Sequence, residues 1–342
     1  MLDLFPSRTT GPFGRAQRHA RGAKIPVTVV TGFLGAGKTT LLRRFLQTPE
    51  GAGTAIVVNE FGAAGIDDAL LRASSDETVL LGNGCLCCFA RSDLQVALRT
   101  LVVDRERGRV PAFRRVVIET SGLADPGPVL QTFATDRALG AEFHLELALA
   151  VVDAVTGADT LGWSAEARKQ AILADRLVVT KADIALAGAV ETLGAQLRAL
   201  NPHAEIVRAE RGALDPAQLT TAAQPREGPR GFVAEATHTD GIASFVLAPA
   251  EPVQWTTFAR TMETLAALRG PDLLRVKGFV AVEGCRGPVL VQYVQHLADP
   301  PVELQAWPDG VRGTRLVFIT RNLPEPAVRS LFAAVGALAL AE

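Results

Sequence analysis

Residues Gly32 to Thr39 read GFLGAGKT, a G-x-x-x-x-G-K-[ST] pattern, and three cysteines follow within four positions as Cys85, Cys87 and Cys88. The first pattern suits phosphate and the second a soft metal ion, so two chemistries are expected within one domain. Backbone N–H groups can cradle phosphates only where glycine permits close approach, which Gly32, Gly35 and Gly37 provide around Ala36. Lys38 is then placed to reach the outer phosphates and Thr39 to ligate Mg²⁺. Lys38, Thr39 and Thr40 open a helix whose N-terminus favours the anion.

Other residues extend this reading. Asn59-Glu60-Phe61-Gly62 and Gly65-Ile66-Asp67 follow an apolar run, where a γ-phosphate sensor is expected. Glu119 ends a β-branched run and is expected to hold Mg²⁺ or orient the attacking water, with Gly122 three residues on as a second switch. Val178 to Asp183 reads VVTKAD, close to the guanine-reading N/T-K-x-D signature. A carboxylate at Asp183 can accept from N1–H and N2–H₂ of guanine, so GTP is expected over ATP. Thr180 stands where Asn is usual, and its hydroxyl could donate to the base or tether the phosphate loop. Lys181 completes the segment.

The cysteine cluster suits Zn²⁺, Cu⁺ or Co²⁺. Structural zinc normally has four ligands, and no partner C-x-x-C or nearby histidine supplies a fourth, which favours an open or exchanging site. Buried apolar cysteines and a redox dithiol pair are the competing readings. Cys285 stands alone and reads as incidental.

These residues need a scaffold that brings strand ends together. Apolar β-branched runs recur near 25–31, 54–59, 77–81, 115–119, 145–152 and 176–180, with helical spacing near 40–46, 91–103 and 164–174. The alternation predicts an α/β fold: a P-loop NTPase domain over 25–210 with a mostly parallel sheet, ligands binding at the carboxyl ends of its strands. Residues 211–231, rich in Gly, Pro and Ala, read as a linker. Strands near 242–247, 273–282, 288–295 and 314–319, with helices near 254–268 and 325–338, predict a smaller α+β domain over 232–342. Residues 1–24, basic and broken by Pro and Gly, read as a disordered tail.

A chain of 342 residues with a formal net charge of −1 has no global drive toward nucleic acid or an anionic membrane. No run nears ~18 uninterrupted apolar residues, so a cytoplasmic protein is expected. Only five of the 35 cationic side chains are lysine, at 24, 38, 169, 181 and 277, and two of these fall in the nucleotide motifs. A compact ammonium suits a phosphate clamp in a way the planar guanidinium does not.

Taken together, the loop at 31–40, the 59–67 segment, Gly84-Cys85-Leu86-Cys87-Cys88, Glu119 to Pro126 and Ala174 to Asp183 resemble the CobW-type GTPases, relatives of the nickel-insertion GTPases. Leu274 to Phe279 and Val291 to His296 resemble that family's C-terminal domain. The resemblance implies a GTP-hydrolysing metallochaperone that delivers Zn²⁺ or Co²⁺ from Cys85, Cys87 and Cys88 to a client metalloprotein or cofactor-assembly enzyme. It implies Mg²⁺ at Thr39, Glu60, Asp67 and Glu119, catalytic roles for Lys38, Glu119 and Gly122, and base contacts from Thr180, Lys181 and Asp183. A homodimer across the switch face is compatible with it. A P-loop NTPase with a structural zinc, and a regulatory module with little turnover, are the rival readings. The His-rich loop of some members is missing between 184 and 240, which favours transfer of a single ion over storage.

Overall fold

A computed structural model describes residues 24–59, 79–82, 91–223, 241–294, 297–298, 301–307 and 313–339. They fall into two compact units, one within Lys24–Glu227 and one within Gly228–Glu342.

The first unit is built on strands β1 (Ile25–Gly32), β2 (Thr54–Asn59), β3 (Val79–Gly82), β4 (Arg115–Thr120), β5 (Phe143–Asp153), β6 (Arg176–Thr180) and β7 (Glu205–Arg208). They form one sheet in the order β3-β2-β4-β1-β5-β6-β7, and every pairing is parallel. A parallel strand covered on both faces needs apolar residues on both. In β1, Val27, Val29 and Val30 are fully buried, and in β6 Val178 faces one apolar layer while Leu177 and Val179 join the other.

One layer is packed by helix α1 (Lys38–Leu46) through Leu41, Leu42, Phe45 and Leu46. After α2 (Arg91–Glu106) come three short helices, α3 (Gly127–Leu130), α4 (Thr132–Thr135) and α5 (Arg137–Glu142). The other layer is packed by α6 (Gly157–Trp163), α7 (Ala165–Leu173) and α8 (Ala189–Leu200) through Leu161, Ala167, Ala171, Leu193 and Leu197. The helical stretch expected at 164–174 is α7, separated from α6 by Ser164, whose hydroxyl accepts from the Ala167 N–H as an N-cap.

The stretch 211–223 begins the linker expected from composition, yet it packs on the first unit. It carries α9 (Pro216–Thr220), capped by Asp215, and places Leu219 in the α1 layer with 1% exposure. Thr28 donates to the Leu219 carbonyl at 3.0 Å, and the Arg176 guanidinium donates to the carbonyls of Gln218 and Thr221. Burial of one leucine and three backbone hydrogen bonds override the linker-like composition.

The second unit is an antiparallel sheet of β8 (Ile242–Leu247), β9 (Leu273–Val280), β10 (Val289–Val294), β11 (Leu297–Ala298), β12 (Val302–Glu303) and β13 (Arg315–Arg321). Its order is β11-β10-β9-β13-β8, with β12 on β10. Helices α10 (Trp255–Arg269) and α11 (Glu325–Ala339) join its core through Phe258, Met262, Leu265 and Val328. Phe245 and Phe318, opposite one another in register, stack with ring centroids 5.4 Å apart.

Candidate nucleotide site

The order of the first sheet sets β1 between β4 and β5, where the chain passes from one half of the sheet to the other. Such a switch point opens a crevice at the carboxyl ends of the strands. The loop Gly32–Gly37 leaves β1 there and enters α1 at Lys38. Gly32, Gly35 and Gly37 adopt φ of 143°, 70° and 99°. At Gly32 a Cβ would lie 2.3 Å from the Val151 carbonyl oxygen, so the loop can turn against β5 only without a side chain. Lys38 is buried, and its Nζ donates to the carbonyls of Gly32 at 2.8 Å and Phe33 at 3.3 Å, which holds the ammonium across the loop. Thr40, exposed, lies beside Gly212.

Beneath the loop, Thr39 Oγ1 donates to Glu119 Oε1 at 2.9 Å, and Glu119 is only 4% exposed. Pairing of β1 with β4 puts Val30 opposite Glu119, so the acid arrives under the first turn of α1. A hydroxyl and a buried carboxylate at a helix N-terminus form an oxygen donor set that fits Mg²⁺. One residue further on, Thr120 donates to Thr31 across the same strand pair at 2.9 Å.

Gly122 follows two residues after Thr120. A Cβ at this position would lie 2.7 Å from the Leu34 backbone nitrogen and 2.8 Å from its Cα, so this segment is in backbone contact with the phosphate loop. Phe33 packs edge-on against Trp163 at 5.4 Å.

At the end of β6, Thr180 Oγ1 donates to the Ala36 carbonyl at 2.7 Å. Of the two roles open to this hydroxyl, the structure therefore displays the tether. Lys181 adopts a left-handed φ of 55°, and its Nζ stands 3.8 Å from Asp153 Oδ2. Asp183 is part-exposed, with Oδ2 3.9 Å from Arg211 Nε.

Four further residues in this region went unmarked in the sequence. Asp153 ends β5, accepting from the N–H groups of Val155 and Thr156 and from the Thr156 hydroxyl, which organises the turn beside Lys181. Arg211 faces Asp183 from a turn whose φ is 50°. Lys169 and Gln170 on α7 bond the segment that follows Glu119. Lys169 carried a signal, being one of five lysines in an arginine-rich chain; the other three carried none.

The structure thus brings together Gly32, Gly35, Ala36, Gly37, Lys38, Thr39, Glu119, Gly122 and Thr180, with Lys181 and Asp183 directly after Thr180 at the end of β6. Glu60, Asp67, Cys85, Cys87 and Cys88 lie outside the described residues. The strands that lead to them are described: β2 and β3 run parallel with Val58 opposite Gly82. Among the described residues, no helix is long and apolar enough to cross a membrane.

The chain matches the CobW/HypB/UreG nucleotide-binding domain family over residues 26–208 and the cobalamin synthesis protein cobW C-terminal domain over 242–336. It is 36% identical to the zinc chaperone YjiA of Escherichia coli over 322 residues, covering 90% of this chain and 98% of that one. It is 33% identical to the zinc chaperone CobW of Pseudomonas aeruginosa, covering 93% and 96%. The crystal structure of the Zn(II)-bound YjiA GTPase of E. coli superposes with a TM-score of 0.66 at 31% identity, over 91% of this chain and 99% of that one.

Proposed function

Because the chain belongs to the CobW/HypB/UreG family and is a GTPase of that family, we propose that it is a zinc chaperone in which GTP hydrolysis drives metal from Cys85, Cys87 and Cys88 to a client. The client is a metalloprotein or a cofactor-assembly enzyme, and the compartment is the cytoplasm. Zn²⁺ is cargo here, and Co²⁺ is an alternative cargo for the same thiolates.

The observation that carries the coupling is the pairing of β2 with β3. The last pair in their register is Val58 and Gly82; in the sequence, the first-switch residues Glu60 and Asp67 come after β2 and the three cysteines after β3. Two parallel strands joined by backbone hydrogen bonds move together, so ordering of the first by a γ-phosphate is felt at the exit of the second. By linkage, nucleotide must change metal affinity by the same factor as metal changes nucleotide affinity.

The chain's own groups divide the work of hydrolysis. Lys38 and the N–H groups from Gly35 to Thr40 bind phosphate. Thr39, Glu119, Glu60 and Asp67 would hold Mg²⁺, which when bound would supply positive charge against that developing on the phosphates. Glu119 also orients water, and Gly122 offers its N–H to the γ-phosphate. Thr180 holds the loop while Lys181 and Asp183 take the base.

The test is a Co²⁺ titration followed by thiolate-to-metal absorption, with Mg²⁺ and either a non-hydrolysable GTP analogue or GDP, and Cys87→Ala as control. Binding that needs Cys87 and differs between the two nucleotides is expected. Equal binding in both states would point to a structural metal, and absence of a thiolate band would end the cargo proposal.

A further inference from the structure

The segment after β4 is held by one buried amide. Gln170, on α7 and 1% exposed, donates from Nε2 to the carbonyl of Gly122 at 3.1 Å and to that of Ala124 at 3.0 Å. Its neighbour Lys169 reaches Asp125 Oδ2 at 2.5 Å, and Asp125 Oδ1 accepts from the Gly127 N–H at 2.8 Å. Two adjacent residues of one helix thus grip three of the four residues between Gly122 and Asp125.

The chemistry selects an amide at position 170. Two carbonyl oxygens converge on one atom, which must therefore carry two N–H donors; a carboxylate or the amide oxygen there would repel both. Gln170 Oε1 is buried with no hydrogen-bond partner among the described residues, beside a cavity of about 20 Å³ that Gly32, Phe33 and Ala36 also line. An unsatisfied buried acceptor is unfavourable, so the side chain carries a cost on one end while making its two bonds on the other.

Those bonds fix the peptide plane that joins Gly122 to Leu123. Gly122 also abuts Leu34, so it touches both the phosphate loop and Gln170. With the following peptide anchored, the Gly122 N–H can turn only by coupled rotation about ψ of Ser121 and φ of Gly122. Helix α7 then leads into β6, whose last residue, Thr180, holds Ala36.

We propose that Gln170 is a positioning residue for GTP hydrolysis, pinning the Gly122–Ala124 segment so that the Gly122 N–H is presented to the γ-phosphate. This rests on the reading of Gly122 as the second switch. Gln170 acts on a group that meets only the triphosphate, so its loss must separate turnover from GDP binding.

Four proteins are compared: the wild type, Gln170→Met, Gln170→Glu and Gly122→Ala, each assayed for GTP turnover, GDP affinity and thermal midpoint. Gln170→Met, matched in length but without donors, is expected to lower kcat by about 10- to 100-fold, the scale of a misplacement near 1 Å, with GDP affinity within about twofold of wild type. Gln170→Glu is expected to recover relative to wild type as pH falls, because a protonated carboxyl regains one donor and burial favours that form. Wild-type turnover in Gln170→Met would overturn the inference, as would parallel losses of GDP affinity and thermal midpoint, which mark a merely structural role. If Gly122→Ala hydrolyses GTP as wild type does, the switch reading fails and the inference with it, whatever Gln170→Met does.

Discussion

Thr180 and Ala36, 144 residues apart in the chain, are joined by a 2.7 Å hydrogen bond from the threonine hydroxyl to the alanine carbonyl. Strand β6 therefore holds the loop between β1 and α1 directly. Thr180→Val keeps the shape and removes the donor, leaving a buried carbonyl short of a partner at a cost of about 1–3 kcal/mol. GDP and GTP affinities are expected to fall together by roughly 5- to 100-fold by titration calorimetry, with Thr180→Ser near wild type. Unchanged affinity in Thr180→Val would show that the tether contributes nothing to binding.

Thr39 and Glu119 share a hydrogen bond at the start of α1, so removal of either should act through Mg²⁺. Glu119→Gln keeps the volume and removes the charge. Turnover is expected to drop by at least about 100-fold, and the rise in nucleotide affinity with added Mg²⁺ to flatten, whereas metal-free GDP binding persists. A Mg²⁺ titration of wild type and variant, read by hydrolysis and by GDP affinity, checks both points.

Gly32→Ala would place a Cβ 2.3 Å from the Val151 carbonyl oxygen at a φ of 143°, in the centre of the sheet. Backbone on both sides of the clash leaves nothing flexible to yield. A loss of at least about 2 kcal/mol is expected, seen as a lower midpoint in denaturant with unchanged slope. A midpoint equal to wild type would mean that β1 and β5 can part at no cost.

Tyr293 is the chain's one tyrosine, so ultraviolet titration reads it alone. Burial against the second core, and secondarily the Glu263 carboxylate, push its phenol from 10.0 up to about 12. The folded state thus keeps the proton that the unfolded state loses near pH 10. This contribution to stability is complete below pH 10 and is lost as pH rises from 10 through 12. A tyrosinate midpoint near 10 in the folded protein would contradict it.

Strands and helices were readable where their apolar periods are uninterrupted: β6 and β8 coincide with the runs at 176–180 and 242–247, whereas strand β7 and the 12-residue helix α8 went unmarked. Helices α3, α4 and α5 went unmarked, since none completes enough turns to show a period. Leu219 was hidden in a stretch whose Gly, Pro and Ala content suggested a linker, because composition says nothing of where one leucine docks. The phosphate loop is local in sequence and so was legible. Gln170 was not: its partner carbonyls lie 48 and 46 residues away, and a glutamine in a helix gives no hint of them.

The order of strands in the first sheet has a consequence for biosynthesis. β1, which carries the phosphate loop, pairs with β4 and β5, neither of which exists until the ribosome has passed Arg115 and Phe143. At ~5–20 residues per second the nascent β1, a valine-rich strand without neighbours, waits several seconds for its first partner. The tether from Thr180 comes later still. The loop between β1 and α1 thus gains its neighbours on both sides only after most of the domain has been made.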